Sequence, residues 1–195
     1  MYLKKHPKTL LVIALVWPEP VSTAAGVRMM QLLQVFKNQG YRITIASAAS
    51  KSEYSADMVA LGYETAEIKM NDGSFDVFVK ELNPDVVLFD RFLTEEQFGW
   101  RVAENCPQAL RVLDTEDLHS LRHVREQCFK KEIPFTTDAW LADDKTKREI
   151  ASIYRCDLSL IISSYEMELL TEVLKIDKSL LLLLPFMVIE IGNDT

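Results

Sequence analysis

The chain predicts a doubly wound α/β domain on a mostly parallel sheet of seven strands. Short runs rich in Leu, Ile and Val recur along it, each apolar enough to be buried on both faces. Longer segments whose apolar residues fall at helical spacing separate them, the order expected of strands covered by helices on two sides. The composition agrees: 195 residues, 48% apolar, with only 6 Gly and 7 Pro, fit one ordinary domain.

The first strand is read at Thr9–Val16, and a helix from about Gly26 to Gln39 follows the loop Trp17–Ala25. Met29, Leu32, Leu33 and Phe36 stand at i, i+3, i+4 and i+7, which sets them on one face, and Gly40 stops the helix. A strand at 41–47, a helix at 52–61 closed by Gly62 and a strand at 63–70 come next. A helix at 74–82 ends at Asn83-Pro84, and Asp85–Asp90 is the most apolar strand. Thr94-Glu-Glu-Gln97 reads as a capping box opening a helix that ends at Cys106-Pro107. Strand 109–113, a helix from Asp117 to about Lys131 and a less regular piece at 132–143 follow. A helix near 145–154, a strand at 157–162, a helix opened by Ser163-Ser-Tyr-Glu166 and a strand at 180–184 complete the pattern.

Several function classes drop out. With 22 Lys+Arg against 29 Asp+Glu the net charge is −7, so no global basic field grips nucleic acid. Cys106, Cys128 and Cys156 form no CxxC pair and read as reduced, buried thiols of a cytoplasmic protein. Lys4, Lys5 and Lys8 before the first apolar run imitate a secretory leader, but that run is needed as a strand. The apolar stretch 180–189 is broken by Pro185 and is shorter than the roughly 20 residues of a membrane span. Neither GxGxxG nor GxxxxGK[ST] is present, which argues against dinucleotide and P-loop chemistry.

Ligands of an open parallel sheet bind outside the carboxyl ends of its strands, so the strand-to-helix loops are the places to search. The first offers Ser22, Thr23 and Gly26, with Arg28 in the opening helical turn; the hydroxyls suit either ligand contact or helix capping. Asp90 and Arg91 end the most apolar strand, where a carboxylate needs an ion pair, with Arg91 or Arg101, or a polar ligand. Asp114, Thr115, Glu116, Asp117 and His119 form the densest polar cluster, on one loop and the first turn after it; the helix dipole accounts for part of it. His119 titrates near neutrality in water and suits a base or a hydrogen bond to a sugar hydroxyl. His119 and His123 lie at i, i+4, but Ser120 stands where a zinc peptidase has Glu, so no metal is expected. Ser163 and Glu166 read as a capping box at the same edge. Phe92, Phe98 and Trp100 suit a stacking platform or, more simply, the core.

Taken together, Leu11-Val-Ile-Ala-Leu-Val-Trp-Pro-Glu-Pro20 with Ala24-Ala-Gly-Val-Arg28, Asn83–Asp90, Val112–His119 and Cys156–Glu166 resemble the amino-terminal half of GT-B glycosyltransferases, in particular bacterial family 4-like proteins. The resemblance covers roughly residues 9–186 and implies a Rossmann-like acceptor-side domain over 1–185, with 186–195 the start of an interdomain linker or a truncated tail. It implies a nucleotide-sugar co-substrate, no bound cofactor and a sugar, glycan or lipid-linked acceptor, with peripheral membrane contact left open. By the same resemblance Gly26 and its neighbours approach the donor phosphates, and Asp114–His119 line the acceptor side, with Asp117 or His119 orienting or deprotonating a hydroxyl. No donor-domain pattern follows Pro185, so the chain alone is expected to be inactive without a carboxy-terminal donor domain or partner chain. A non-enzymatic nucleotide-binding or scaffold subunit is the alternative, its test the exposed apolar area around 180–191. A phosphate-accepting receiver built on Asp90 or Asp114 is disfavoured, because no acidic pair follows the first strand and no suitably placed Lys follows the later ones.

Overall fold

A computed structural model describes residues 7–187. It contains seven strands, β1 (Thr9–Ala14), β2 (Arg42–Ser47), β3 (Glu64–Glu67), β4 (Val86–Asp90), β5 (Leu110–Asp114), β6 (Leu158–Ile161) and β7 (Leu181–Leu183). They form one sheet in the order β3-β2-β1-β4-β5-β6-β7, and every pair is parallel. The order reverses beside β1, so the crevice between the carboxyl ends of β1 and β4 is the topological switch point.

Helices cover both faces: α1 (Ala24–Asn38), α2 (Ser74–Leu82), α3 (Arg91–Asn105), α4 (His119–Lys130), α5 (Thr137–Ala142), α6 (Asp144–Arg155) and α7 (Ser164–Glu168). The apolar run of β1 serves both layers. Leu11 and Ile13 join Phe75, Phe89, Phe98 and Trp140 on one side, whereas Leu10 and Val12 join Trp17, Met29 and Leu33 on the other. The imitation of a leader is thus a central strand, buried at all six positions; Lys4 and Lys5 lie outside the described residues. Among the described residues no helix is long and apolar enough to cross a membrane. All three cysteines are free and buried.

The expected helix at 52–61 does not form; residues 51–62 make successive turns. Its polar side chains bond the local backbone instead, with Ser52 N–H donating to Ser55 Oγ, Tyr54 N–H to Ser52 Oγ and Ala60 N–H to Asp57 Oδ1. Ala56 N–H reaches across to the Pro18 carbonyl, which holds the segment over the β1–α1 loop. The capping box at Thr94 is also corrected. Helix α3 starts directly from β4, and the Thr94 hydroxyl donates back to the Asp90 carbonyl at 3.1 Å. Helix α4 begins at His119 rather than Asp117, and the irregular piece at 132–143 contains α5, capped by Thr136. Phe92 and Phe98 are core, whereas Trp100 is exposed beside Arg101.

Candidate functional site

The β1–α1 loop is a folded wall of the site. Trp17 is buried and donates its indole N–H to the Ala49 carbonyl at 2.8 Å, fixing the loop to the end of β2. Thr23 caps α1 by accepting the Gly26 N–H at 2.9 Å, and Ser22 bonds Glu19 Oε2 at 3.1 Å. Gly26 is required by close approach: a Cβ there would lie 2.4 Å from the backbone carbon of Glu19. Its smallness is taken up by its own loop rather than left open to a phosphate.

Arg28 and Asp114, both expected at the ligand, are turned inward onto each other with no exposed surface. Arg28 Nε lies 3.0 Å from each Asp114 oxygen and Nη2 lies 2.9 Å from Oδ1. A carboxylate at the end of a strand buried on both faces needs such a counter-ion, and α1 supplies it. Burial raises the Asp114 pKa even against the guanidinium, which pulls it down.

The wall of the site at the ends of β4 and β5 is built from Arg91, Glu116, Asp117 and His119. Arg91 and Glu116 follow the ends of the neighbouring strands β4 and β5, and both hold left-handed backbone, with φ of 71° and 59°. That conformation is costly for side chains with a Cβ, and here it lets the guanidinium meet the Glu116 carboxylate. Asp90 Oδ2 accepts the Leu15 N–H at 2.9 Å across the switch point, while Oδ1 lies 3.5 Å from Arg91 Nε. Burial pushes Asp90 up to about 7, Arg91 opposing and Glu116 reinforcing the shift.

Asp117 is the more exposed carboxylate of the cluster. Its Oδ2 lies 3.1 Å from Arg122 Nε, and its Oδ1 lies 3.2 Å from His119 Nε2, a contact too poorly aligned to be a hydrogen bond. His119 Nδ1 lies 3.0 Å from Arg122 Nη2, which can only donate, so the ring proton belongs on Nε2. Burial pushes the imidazole down to about 4, Asp117 resisting and Arg122 assisting. His119 is therefore a neutral imidazole at pH 7 whose Nε2 lies beside Asp117, and the Asp117 side chain is partly exposed to the cleft.

Sequence reasoning did not single out Arg122 or Glu149. Arg122 stands three residues after His119 on one helical face, a legible spacing. Glu149 comes from α6 and was not legible. Its two oxygens accept the His119 and Ser120 N–H groups at 2.9 Å each, filling the N-terminus of α4. Glu166 takes the adjacent Leu118 N–H at 2.8 Å, and Ser163 caps α7 as expected. Ser163 and Glu166 thus share the edge of the site, but the Glu166 carboxylate is turned to the backbone rather than outward. Among the described residues no three His, Cys, Asp or Glu side chains gather as a metal would require.

The resulting cleft, about 400 Å³, is lined by Thr23, Arg91, Glu116, Asp117, His119, Arg122 and Phe186. No family model and no curated protein matches the sequence. Solved structures do. Sucrose-phosphate synthase from Thermosynechococcus elongatus is 13% identical with a TM-score of 0.59, covering 91% of this chain and 48% of its own. The fold is the Rossmann-like α/β fold of a GT-B domain. The lipopolysaccharide outer core galactosyltransferase WaaB is 12% identical with a TM-score of 0.55, over 90% of this chain and 44% of its own. An α-glucosyltransferase solved with UDP-glucose and abasic DNA is 12% identical with a TM-score of 0.50, over 85% and 39%. The chain thus spans under half the length of these structures, and the GT-B fold agrees with the resemblance to an amino-terminal GT-B domain seen in the sequence.

Proposed function

We propose that the chain is the acceptor-side domain of a glycosyltransferase that moves a sugar from a nucleotide-sugar donor to an acceptor hydroxyl. The observation that supports this best is Asp117, paired with Arg122 and beside His119 on a cleft at the carboxyl edge of the sheet. In the reaction the acceptor oxygen bonds to the anomeric carbon as the bond to the nucleotide phosphate oxygen breaks, and the hydroxyl proton goes to Asp117 if the configuration inverts. His119 does not take the proton, because its Nδ1 lone pair already faces Arg122. The UDP-glucose bound by the α-glucosyltransferase favours a uridine-linked donor. We assign donor binding to a second domain or chain across the cleft.

The test is a transfer assay with UDP-hexoses beside an NMR titration of the 195-residue chain with simple saccharides. Saccharides are expected to shift the amide signals of 115–123, with no turnover until a donor-binding domain is supplied. Turnover by the chain alone would overturn the need for a second domain. No saccharide response at millimolar concentration would overturn the acceptor reading.

A further inference from the structure

Arg28 has a second set of contacts that pairing with Asp114 does not require. Its Nη1 lies 2.9 Å from the Leu184 carbonyl and 3.3 Å from that of Pro185, where the chain leaves β7. Phe186 stacks on the same guanidinium, 5.5 Å from Cζ to the ring centroid. One helical turn further along α1, Gln31 donates to the Met187 carbonyl at 2.6 Å. Two side chains on one face of α1 therefore hold the segment 184–187 along the helix. Phe186 is half-exposed and lines the cleft together with Asp117, His119 and Arg122.

We infer that residues 184–187 are a strap forming one wall of the site, and that Arg28 couples its position to the loop 115–119. The guanidinium is rigid and planar, with donors fixed in one fork. Because it grips the Asp114 carboxylate and the Leu184 and Pro185 carbonyls at once, displacement of the strap must turn the plane or break a bond at either end. Asp114 is the last residue of β5 and leads directly into Thr115, left-handed Glu116 and Asp117. Arg28 is thus a positioning residue that touches no ligand. A ligand pressing on Phe186 and a change in the path of the chain after β7 act on the same bonds, so each biases the other. The coupling holds for whatever ligand the cleft accepts, so it stands or falls apart from the sugar-transfer reading.

Arg28→Lys separates coupling from stability. An ammonium still neutralises Asp114 but cannot bond both the carboxylate and the two carbonyls. Hydrogen exchange followed by mass spectrometry, with no ligand present, is the measurement. In Arg28→Lys, exchange is expected to rise about tenfold or more at the Leu184 amide, which bonds the Ile161 carbonyl at the start of the strap, and in 115–119, while the other strand amides keep wild-type protection. Gln31→Ala, which leaves Asp114 untouched, should loosen the strap and raise exchange in 115–119 by a smaller factor. If the strap loosens in either variant while 115–119 stays at the wild-type rate, the coupling is overturned. If neither segment changes in Arg28→Lys, the strap is not held by Arg28 and the inference also fails. General loss of protection in Arg28→Lys would leave the decision to Gln31→Ala, whose two outcomes support or refute the coupling alone.

Discussion

Replacing Arg28 by Met keeps the length and apolar stem of the side chain but removes, among the described residues, the only cation touching Asp114, a residue with no exposed surface. Breaking a buried pair from one side costs about 3–5 kcal/mol, because the remaining charge has neither water nor partner. For a domain of this size 1 kcal/mol moves the midpoint by about 2–4 °C, so Arg28→Met should melt roughly 6–20 °C below wild type. The deficit must depend on pH. Burial already raises the Asp114 pKa, and losing the guanidinium raises it further. A folded state that holds a proton the unfolded chain releases loses stability as pH rises, so the deficit should be smaller at pH 5 than at pH 7.5. The double variant Arg28→Met/Asp114→Leu should recover most of the loss, since an apolar pair of similar volume needs no counter-ion. Differential scanning fluorimetry across pH measures all three. A single variant melting within about 2 °C of wild type, or a double variant no better than the single, would refute this reasoning.

Gly26→Ala should displace residues 17–23, because its Cβ meets the Glu19 backbone rather than a flexible side chain; a loss of about 1–3 kcal/mol, with shifted Trp17 indole and Ser22 amide signals, is expected. Burial pushes Glu149 up to about 7, overriding the two backbone bonds that pull it down, so it costs the wild type stability as pH rises from about 4.5 to 7. Glu149→Gln should flatten urea-derived stability across that window, and an unchanged slope would count against the assignment. In a form that carries out transfer, Asp117→Asn should lower kcat by about 10²–10⁴ without moving the melting midpoint by more than a degree or two. Thiol reagents should leave Cys106, Cys128 and Cys156 unmodified until the domain unfolds, and rapid native labelling would contradict their burial.

The strands were legible because a run buried on both faces has no alternative use in a parallel sheet: Leu11–Ala14 and Val86–Phe89 have side chains suited to no other place. The turns at 51–62 were not. Ser52, Ser55 and Asp57 fit a helix-length segment but carry side chains that compete for its backbone, and which bond wins depends on Pro18, distant in sequence. The same limit applies at the site. Its loops were found because a parallel sheet presents them at one edge, yet the roles of individual residues were not: Arg28 and Asp114 look like ligand contacts until the partner 86 residues away is seen.

Periodicity, loop placement and the acidic cluster at 114–119 belong to the sequence by itself, since each depends on neighbours a few residues apart. Tertiary structure alone decided which charges are consumed within the protein. Glu149 fills the N-terminus of α4, Glu166 takes the next amide and Arg28 neutralises Asp114. The physical reason is desolvation: a buried charge is tolerated only where folding delivers a partner, and that partner can come from any distance along the chain. What is left open at the cleft, above all Asp117 with Arg122 and His119 beside it, is the remainder after those pairings are made.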